Sequence, residues 1–345
     1  MKTVTVAAIS DGRRRSDPAA TGRAVELLRK GDVVALPTET VYGLAAKALN
    51  PIAVAKIFEA KERPRFDPLI VHLPNREWLG KIAELPAGDR ELILKLADKF
   101  WPGPFTMVLP KLAVVPDIVT AGLDTVAVRL SAHPVFAEIV GELDEPLAAP
   151  SANLFGRISP TTPQHVLYEL EGRIPLIVDA GPTEHGIEST IVVVRDGRIA
   201  ILRRGPITQE QLSQSGEVSS VIATQKISSP GQLPSHYAPK TPLRLIESAK
   251  AFSPRKGERV GLLAWHATEG DLQIAQRRTE DRRSLNFAAV RSLSERQDLR
   301  AAAANLFRYL RELDALSLDL IVAERVPCHG LGASIMDRLE RASHQ

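Results

Sequence analysis

The sequence predicts a mixed α/β protein built as two domains. Three observations carry this. Short apolar runs such as Leu176-Asp179 and Thr190-Val194 read as strands. They outnumber the helical stretches without alternating strictly with them, so a sheet mixing parallel and antiparallel neighbours is expected. A polar, serine- and proline-bearing stretch after Ile207 then separates this region from a second α/β pattern that starts at Leu243.

Ala19 to Lys30 predicts an amphipathic helix closed by Gly31. Asp32 to Leu36 follows as a strand and runs into Pro37-Thr38-Glu39-Thr40-Val41-Tyr42-Gly43-Leu44. Asn50 suits an N-cap and Pro51 the first helical position. Ile52, Ala55, Ile57 and Phe58 give that helix its apolar positions, and it must end at or before Pro64. Leu69-Ile70-Val71 reads as a buried strand with Asp67 before it and His72 near its far end. Further strands are predicted at Thr106-Leu109, Thr125-Leu130, Leu147-Ala149, Leu176-Asp179, Thr190-Val194 and Ile199-Leu202. Helices are expected at Glu77-Leu85, Asp89-Phe100, Pro134-Val140 and Pro163-Leu170.

The second domain reads as a small βαβ-like unit. Its strands are Leu243-Ile246, Val260-Ala264 and Leu318-Ala323. A long helix from Arg296 to Leu313 aligns Leu299, Ala303, Leu306, Leu310 and Leu313 on one face, and a final helix runs from Ala333 to Arg341.

Composition bounds the function. The chain has 345 residues, 44% apolar and 25% charged, which is ordinary for a globular protein. A net charge of +3 permits a polyanionic ligand without demanding one. The single cysteine, Cys328, rules out an internal disulfide and fits a reducing compartment. No run approaches the roughly 18 apolar residues of a membrane span, and Met1 to Ser16 lacks an apolar signal core. A soluble, cytoplasmic protein is expected. The eight histidines are scattered without zinc-site spacing, so no direct protein ligand for a metal is expected. There is no G-x-S-x-G elbow and no P-loop, so a bound nucleotide would need an unusual site.

Polar clusters gather at the ends of the expected strands, where open α/β sheets place ligands. Lys61-Glu62-Arg63-Pro64-Arg65-Phe66-Asp67-Pro68 packs cations and prolines between a helix and a strand. Such a knot suits an anion site, and it equally suits a solvated turn. Thr38-Glu39-Thr40, Arg129 with Thr125 four residues earlier, Pro150-Ser151-Ala152-Asn153, Ser159 to Thr162, Glu188-Ser189-Thr190 and Arg203-Arg204 complete the set. Ser151 and Asn153 flank Ala152, so an extended backbone would aim both side chains one way. An arginine fork at Arg129 suits a carboxylate. A site rich in donors and poor in nucleophiles suits phosphoryl or nucleotidyl transfer.

These motifs, in this order, resemble YrdC-type domains. The carriers are Pro37 to Leu44, Lys61-x-Arg63-Pro64 running into Pro68 to His72, Trp101-Pro102-Gly103-Pro104, Val128-Arg129, Ser151-Ala152-Asn153 and Glu188-Ser189-Thr190. The stretch Ser229-Pro230-Gly231 to His236-Tyr237-Ala238-Pro239, and the segments Asn305 to Asp314 and Ile335 to Leu339, are similar to the long form of L-threonylcarbamoyl-AMP synthases. The resemblance implies a YrdC-like twisted mixed sheet with helices over residues 1–212, a lid-forming linker over 213–241, and a smaller Rossmann-like α/β domain over 242–345. It also implies a nucleotidyltransferase that turns L-threonine, bicarbonate and ATP, with Mg²⁺, into threonylcarbamoyl-AMP and pyrophosphate. The product would pass to a tRNA threonylcarbamoyl transferase, with weak tRNA binding by the synthase itself.

By motif position, Lys61 and Arg63 would stabilise charge without a covalent nucleophile. Thr40, His72, Arg129, Ser151 and Ser189 would surround threonine. Arg63, Asp67, Thr125, Asn153, Thr161, Arg203 and Tyr237 would contact ATP. Two positions depart from the pattern. Asp67 stands where asparagine is usual, and Gln232-Leu233-Pro234-Ser235 replaces a basic, aromatic run before His236. Two other readings remain at this stage: a related carbamoyl-adenylate enzyme with another acceptor, and a non-enzymatic RNA-binding module.

Overall fold

A computed structural model of the chain describes residues 2–8, 17–219, 237–267 and 287–344. The described residues form two units. The first runs to Ser219, except that Gly156–Ile158 and His185–Ile187 group with the second, which otherwise begins at Tyr237.

In the first unit the elements are β1 (Val4–Ala7), α1 (Pro18–Arg29), β2 (Val34–Leu36), β3 (Gly43–Lys47), α2 (Pro51–Lys61) and β4 (Ile70–His72). Next come α3 (Leu79–Ile82), α4 (Arg90–Phe100), β5 (Phe105–Pro110), α5 (Asp117–Thr120), β6 (Thr125–Arg129), α6 (Pro134–Leu143) and β7 (Leu147–Ala148). The last are α7 (Pro163–Leu170), β8 (Leu176–Asp179), β9 (Thr190–Arg195), β10 (Arg198–Arg203), α8 (Gln209–Ser213) and β11 (Val218–Ser219). The strands make one mixed sheet in the order β1-β8-β2-β3-β7-β4-β6-β5-β9-β10-β11. At its centre β4 runs parallel to β6, while β5 is antiparallel to β6 and parallel to β9.

The two-residue period of these strands divides their side chains between two faces. Val71, Met107, Val128 and Val192 join the large core packed by α2, α3, α4 and α7, while α1 and α6 pack into a separate cluster. Their neighbours Ile70, Val108, Ala127 and Ile191 form a small separate apolar cluster on the opposite face. His72, Arg129 and Thr106 extend that second face by the same alternation.

Local signals explain the helix ends. Asn50 Oδ1 accepts from the amides of Ile52 and Ala53, and Glu62, left-handed at φ 52°, closes α2 before Pro64. The helix expected over Glu77-Leu85 is shorter. It consists of a turn at Arg76–Trp78 and α3, and ends at Ile82. Ala83 instead bridges Lys111, Glu84 N donates to Pro110 O, and Leu85 precedes a proline, which disfavours helix. Strands β1 and β3 were not expected. β3 is Gly-Leu-Ala-Ala-Lys, a sequence of low strand propensity that pairing with β2 and β7 on both edges overrides.

The second unit contains β12 (Leu243–Ile246), β13 (Val260–Ala264), β14 (Ala289–Ser292), α9 (Leu299–Asp314), β15 (Leu320–Glu324) and α10 (Leu331–Ser343). Its sheet is parallel throughout, in the order β12-β15-β13-β14. The α9 helix starts at Leu299 rather than Arg296 because Asp298 caps it, accepting from Arg300 N. Ala303, Leu306, Leu310 and Leu313 are buried on its inner face as expected. At its far end Asp314 accepts from the amides of Lys240 and Thr241 at 3.0 and 2.8 Å. Among the described residues no helix is long and apolar enough to cross a membrane.

Candidate active site

The register of the central strands assembles the first group of site residues. His72 is level with Arg129 across β4 and β6, and Thr106 is level with Arg129 across β5 and β6. Thr106 Oγ1 lies 2.8 Å from Ser189 Oγ, at the entry to β9. Arg129 Nη1 donates to Thr40 Oγ1 at 3.0 Å. Thr40, His72, Arg129 and Ser189, expected to share one subsite, therefore lie around the same strand ends.

Arg129 is not an unengaged fork. Its Nη2 donates to Glu39 Oε1 at 2.7 Å and its Nε to Gly103 O at 3.2 Å. Ser131 Oγ donates to the other Glu39 oxygen at 2.5 Å. Glu39 and Arg129 are both buried, at 5% and 3% exposure, so the pair is a desolvated ion pair, with three of the five guanidinium N–H groups donated to Thr40, Glu39 and Gly103. Burial alone would raise the Glu39 carboxyl, but Arg129 and Ser131 outweigh it and hold it down at about 2. Burial and the nearby Arg129 push His72 down to about 3, so its imidazole is neutral. His72 packs at a tilt against Phe136, with ring centroids 4.8 Å apart, and its Nδ1 has no hydrogen-bond partner among the described residues.

The second group is cationic. Lys61 is 1% exposed and its ammonium donates to the backbone carbonyls of Ser151 and Asn153, while Lys61 O accepts from Phe155 N. Burial, reinforced by Arg63, pushes the Lys61 ammonium well below the usual lysine range. Arg63 Nη2 donates to Pro68 O at 2.9 Å and lies 2.8 Å from Asp67 Oδ2. That approach is an ion pair out of hydrogen-bond alignment, and among the described residues neither Asp67 carboxylate oxygen accepts a hydrogen bond. Burial raises the Asp67 carboxyl against the opposing pull of Arg63, Lys61 and Arg203. Three cations thus pull on the unusual carboxylate without outweighing its burial. Arg203 in turn donates to Ser189 O and Ser189 Oγ, both at 3.0 Å, which links the two groups.

The backbone around Ser151 is not the extended run the sequence suggested. Ser151 bridges Gly43, and then Asn153 N donates to Ser151 O, a tight turn that buries Ala152 and Asn153. Lys61 fixes that turn. Thr161 is held by His165, whose Nδ1 faces both the amide and the hydroxyl, and Tyr42 N donates to the adjacent Pro160 O. Thr125 opens β6 on the same face as Ala127 and Arg129, at the strand's other end. Tyr237 belongs to the second unit, where it is buried, stacked on Phe307 at 5.4 Å and beneath the Arg338 guanidinium. His236 and residues 232–235 lie outside the described residues.

Ser131 and Thr106 were not singled out from the sequence, and Glu39 was read only as a member of the Thr38-Glu39-Thr40 cluster, without its partner. For Ser131 a signal existed, since it follows Arg129 by two residues and so shares its side of the chain. For Glu39 the signal was weaker, an acid between two threonines with no partner in sequence. Thr106 is recognisable only through the β5–β6 register.

The chain is similar to known proteins along nearly its whole length. Residues 26–205 match the sequence family described as Telomere recombination, and residues 207–344 the family described as Threonylcarbamoyl-AMP synthase, C-terminal domain. A Bacillus subtilis protein named Threonylcarbamoyl-AMP synthase is 40% identical over 342 residues, covering 97% of this chain and 96% of its own length. One of the same name from Pyrococcus abyssi is 38% identical over 328 residues, covering 93% of each. The crystal structure of P. abyssi Sua5 complexed with L-threonine superimposes with a TM-score of 0.85 at 35% identity, over 99% of this chain and 98% of that one. E. coli YciO shares the fold over 59% of this chain, with a TM-score of 0.51 and 21% identity.

Proposed function

Because the chain belongs to the threonylcarbamoyl-AMP synthase family, we propose that it joins L-threonine, bicarbonate and ATP into threonylcarbamoyl-AMP, releasing pyrophosphate and water. The observation that carries this reading is the adjacency of two unlike subsites. One is the Thr40, His72, Arg129 and Ser189 group, and the other is the Lys61, Arg63 and Arg203 cluster joined to it through Ser189.

The chemistry asks for positioning rather than for a protein nucleophile. The threonine amine captures the one-carbon unit as a carbamate and loses a proton. A carbamate oxygen then attacks the α-phosphorus, and the bond from that phosphorus to the α,β-bridging oxygen breaks, so pyrophosphate leaves carrying that oxygen. Such a transfer is accelerated by cations placed where charge develops on the leaving group. Lys61, Arg63 and Arg203 supply those cations, and their donors sit on rigid strand ends and a fixed turn. Arg129 offers its remaining N–H groups to the threonine carboxylate. The neutral imidazole of His72 turns an acceptor toward the same substrate. The apolar floor of Ile70, Val108, Ala127 and Ile191 keeps the reacting face dry, which protects a hydrolysable product.

Mg²⁺ enters as part of the substrate, bound to the triphosphate. Asp67, the carboxylate inside the cation cluster, is engaged by Arg63, and the described residues include no group of three histidine, cysteine or acidic side chains spaced to hold a metal. Ser151, Asn153, Thr125 and Thr161 orient the two substrates. The product is handed to a tRNA-modifying transferase in the cytoplasm.

The test is direct. Pyrophosphate release from MgATP should depend on both L-threonine and bicarbonate, and release that ignores threonine would overturn the assignment.

A further inference from the structure

We propose that Glu39 is a specificity-determining residue that makes the amino-acid subsite select a zwitterion over a simple anion; this rests on the reading that Arg129 faces the threonine carboxylate. The argument begins with charge. Arg129 is the cation of this subsite, and Glu39 balances it at 2.7 Å with its second oxygen capped by Ser131. His72, level with Arg129 on the neighbouring strand, adds no charge because its imidazole is neutral. The groups bonded to Arg129 and in register with it therefore sum to zero.

The cation cluster is built differently. Lys61, Arg63 and Arg203 face the carboxylate of Asp67, with Glu169 also acting on Lys61, and three cations against two carboxylates leave an excess of positive charge suited to a triphosphate. Glu39 prevents the neighbouring subsite from having the same character. A buried ligand is accommodated best when it brings no unbalanced charge. An amino acid meets this condition, since its carboxylate faces Arg129 while its ammonium adds the opposite charge near Glu39. A carboxylate without an amine, or a stray phosphate, leaves one negative charge too many.

This geometry also explains why Glu39 is so heavily tied down. A carboxylate fixed by Arg129 and Ser131 holds its charge in place without blocking the pocket. Arg129, fixed in turn by Thr40 and Gly103, keeps two N–H groups for the ligand.

The experiment compares two ligands by titration calorimetry: L-threonine, and 3-hydroxybutyrate, which retains the carboxylate and hydroxyl but lacks the amine. Wild type, Glu39→Gln and Glu39→Asp are measured with each, and with MgATP alone. In Glu39→Gln the preference for threonine over the anion should narrow about tenfold, the size expected of one partly screened charge a few ångströms away. Glu39→Asp, which keeps the charge, should stay near the wild-type preference, and ATP affinity should move less than about twofold. An unchanged preference in folded Glu39→Gln overturns the proposal. So does an equal loss of both ligands and ATP, which would mark Glu39 as structural. If Glu39→Gln does not fold, Arg129→Gln tests the opposite sign. There threoninol, an amine without the carboxylate, should gain on threonine by about tenfold, and no gain overturns the proposal. A wild-type protein that binds no threonine would instead overturn the functional reading, and this inference with it.

Discussion

His72 and Arg129 stand level in the parallel ladder of β4 and β6, a neutral imidazole beside a guanidinium on one sheet face. The neutrality follows from burial, because charging the ring there would set a second cation next to the first. Stability must then depend on acidity in a defined window.

The sign follows from the two shifted groups. His72 falls from 6.5 to about 3, and Glu39 from 4.5 to about 2. Both folded values lie below the unfolded ones, so the unfolded chain binds more protons as pH drops. The stability they contribute is fully present above pH 6.5 and is lost through the His72 range first, then through the Glu39 range. Urea midpoints should fall steadily from pH 7 to pH 4, and His72→Gln should flatten the upper part of that slope. An identical slope in the variant would contradict the assignment.

Lys61 is expected to be structural and functional at once. Lys61→Ala strips two buried carbonyls, those of Ser151 and Asn153, of their shared donor. A loss of about 2–4 kcal/mol in stability is expected, together with loss of pyrophosphate release. Lys61→Met restores volume without a donor, so thermal denaturation should show a smaller stability loss while activity stays absent.

Asp67→Asn removes the one carboxylate shared by Arg63, Lys61 and Arg203. The local potential becomes more positive, so the KM for ATP should fall about three- to tenfold while that for threonine holds. A rise in KM for ATP would mean that the carboxylate itself holds the nucleotide.

Gly205 lies where the backbone of Glu188, Ser189 and Thr190 passes closely. A Cβ at this position would sit 2.4 Å from Thr190 N and 2.6 Å from Glu188 O. Gly205→Ala must therefore push the Ser189 segment aside, at a cost of about 1–3 kcal/mol. Threonine binding should weaken with it, and a crystal structure of the variant with Ser189 unmoved would count against this account.

Much of the fold was legible because its signals are local. Asn50 and Pro51 announce the start of α2, Pro64 sets the latest point at which it can end, and the leucines of α9 mark its buried face. β3 was illegible for the opposite reason, since an alanine-rich segment becomes a strand only through the neighbours on either side of it. The candidate site divides in the same way. Cations and hydroxyls at strand ends could be read from spacing. The partner of Arg129 could not, because Glu39 lies 90 positions away and reaches it only through tertiary folding. The Ser151-Ala152-Asn153 segment was read with the wrong backbone, because its turn is fixed by Lys61, also about 90 positions distant.

The alternation along β6 has a consequence for how this gene can vary. Thr125, Ala127 and Arg129 share one face, and Val126 and Val128 the core, by counting alone. Substitutions inside the strand change one contact each. A single-codon insertion between Thr125 and Arg129 would instead carry one end of the strand to the other face, moving the guanidinium into the core and valine out of it. The strand can be rewritten letter by letter, but its length is fixed.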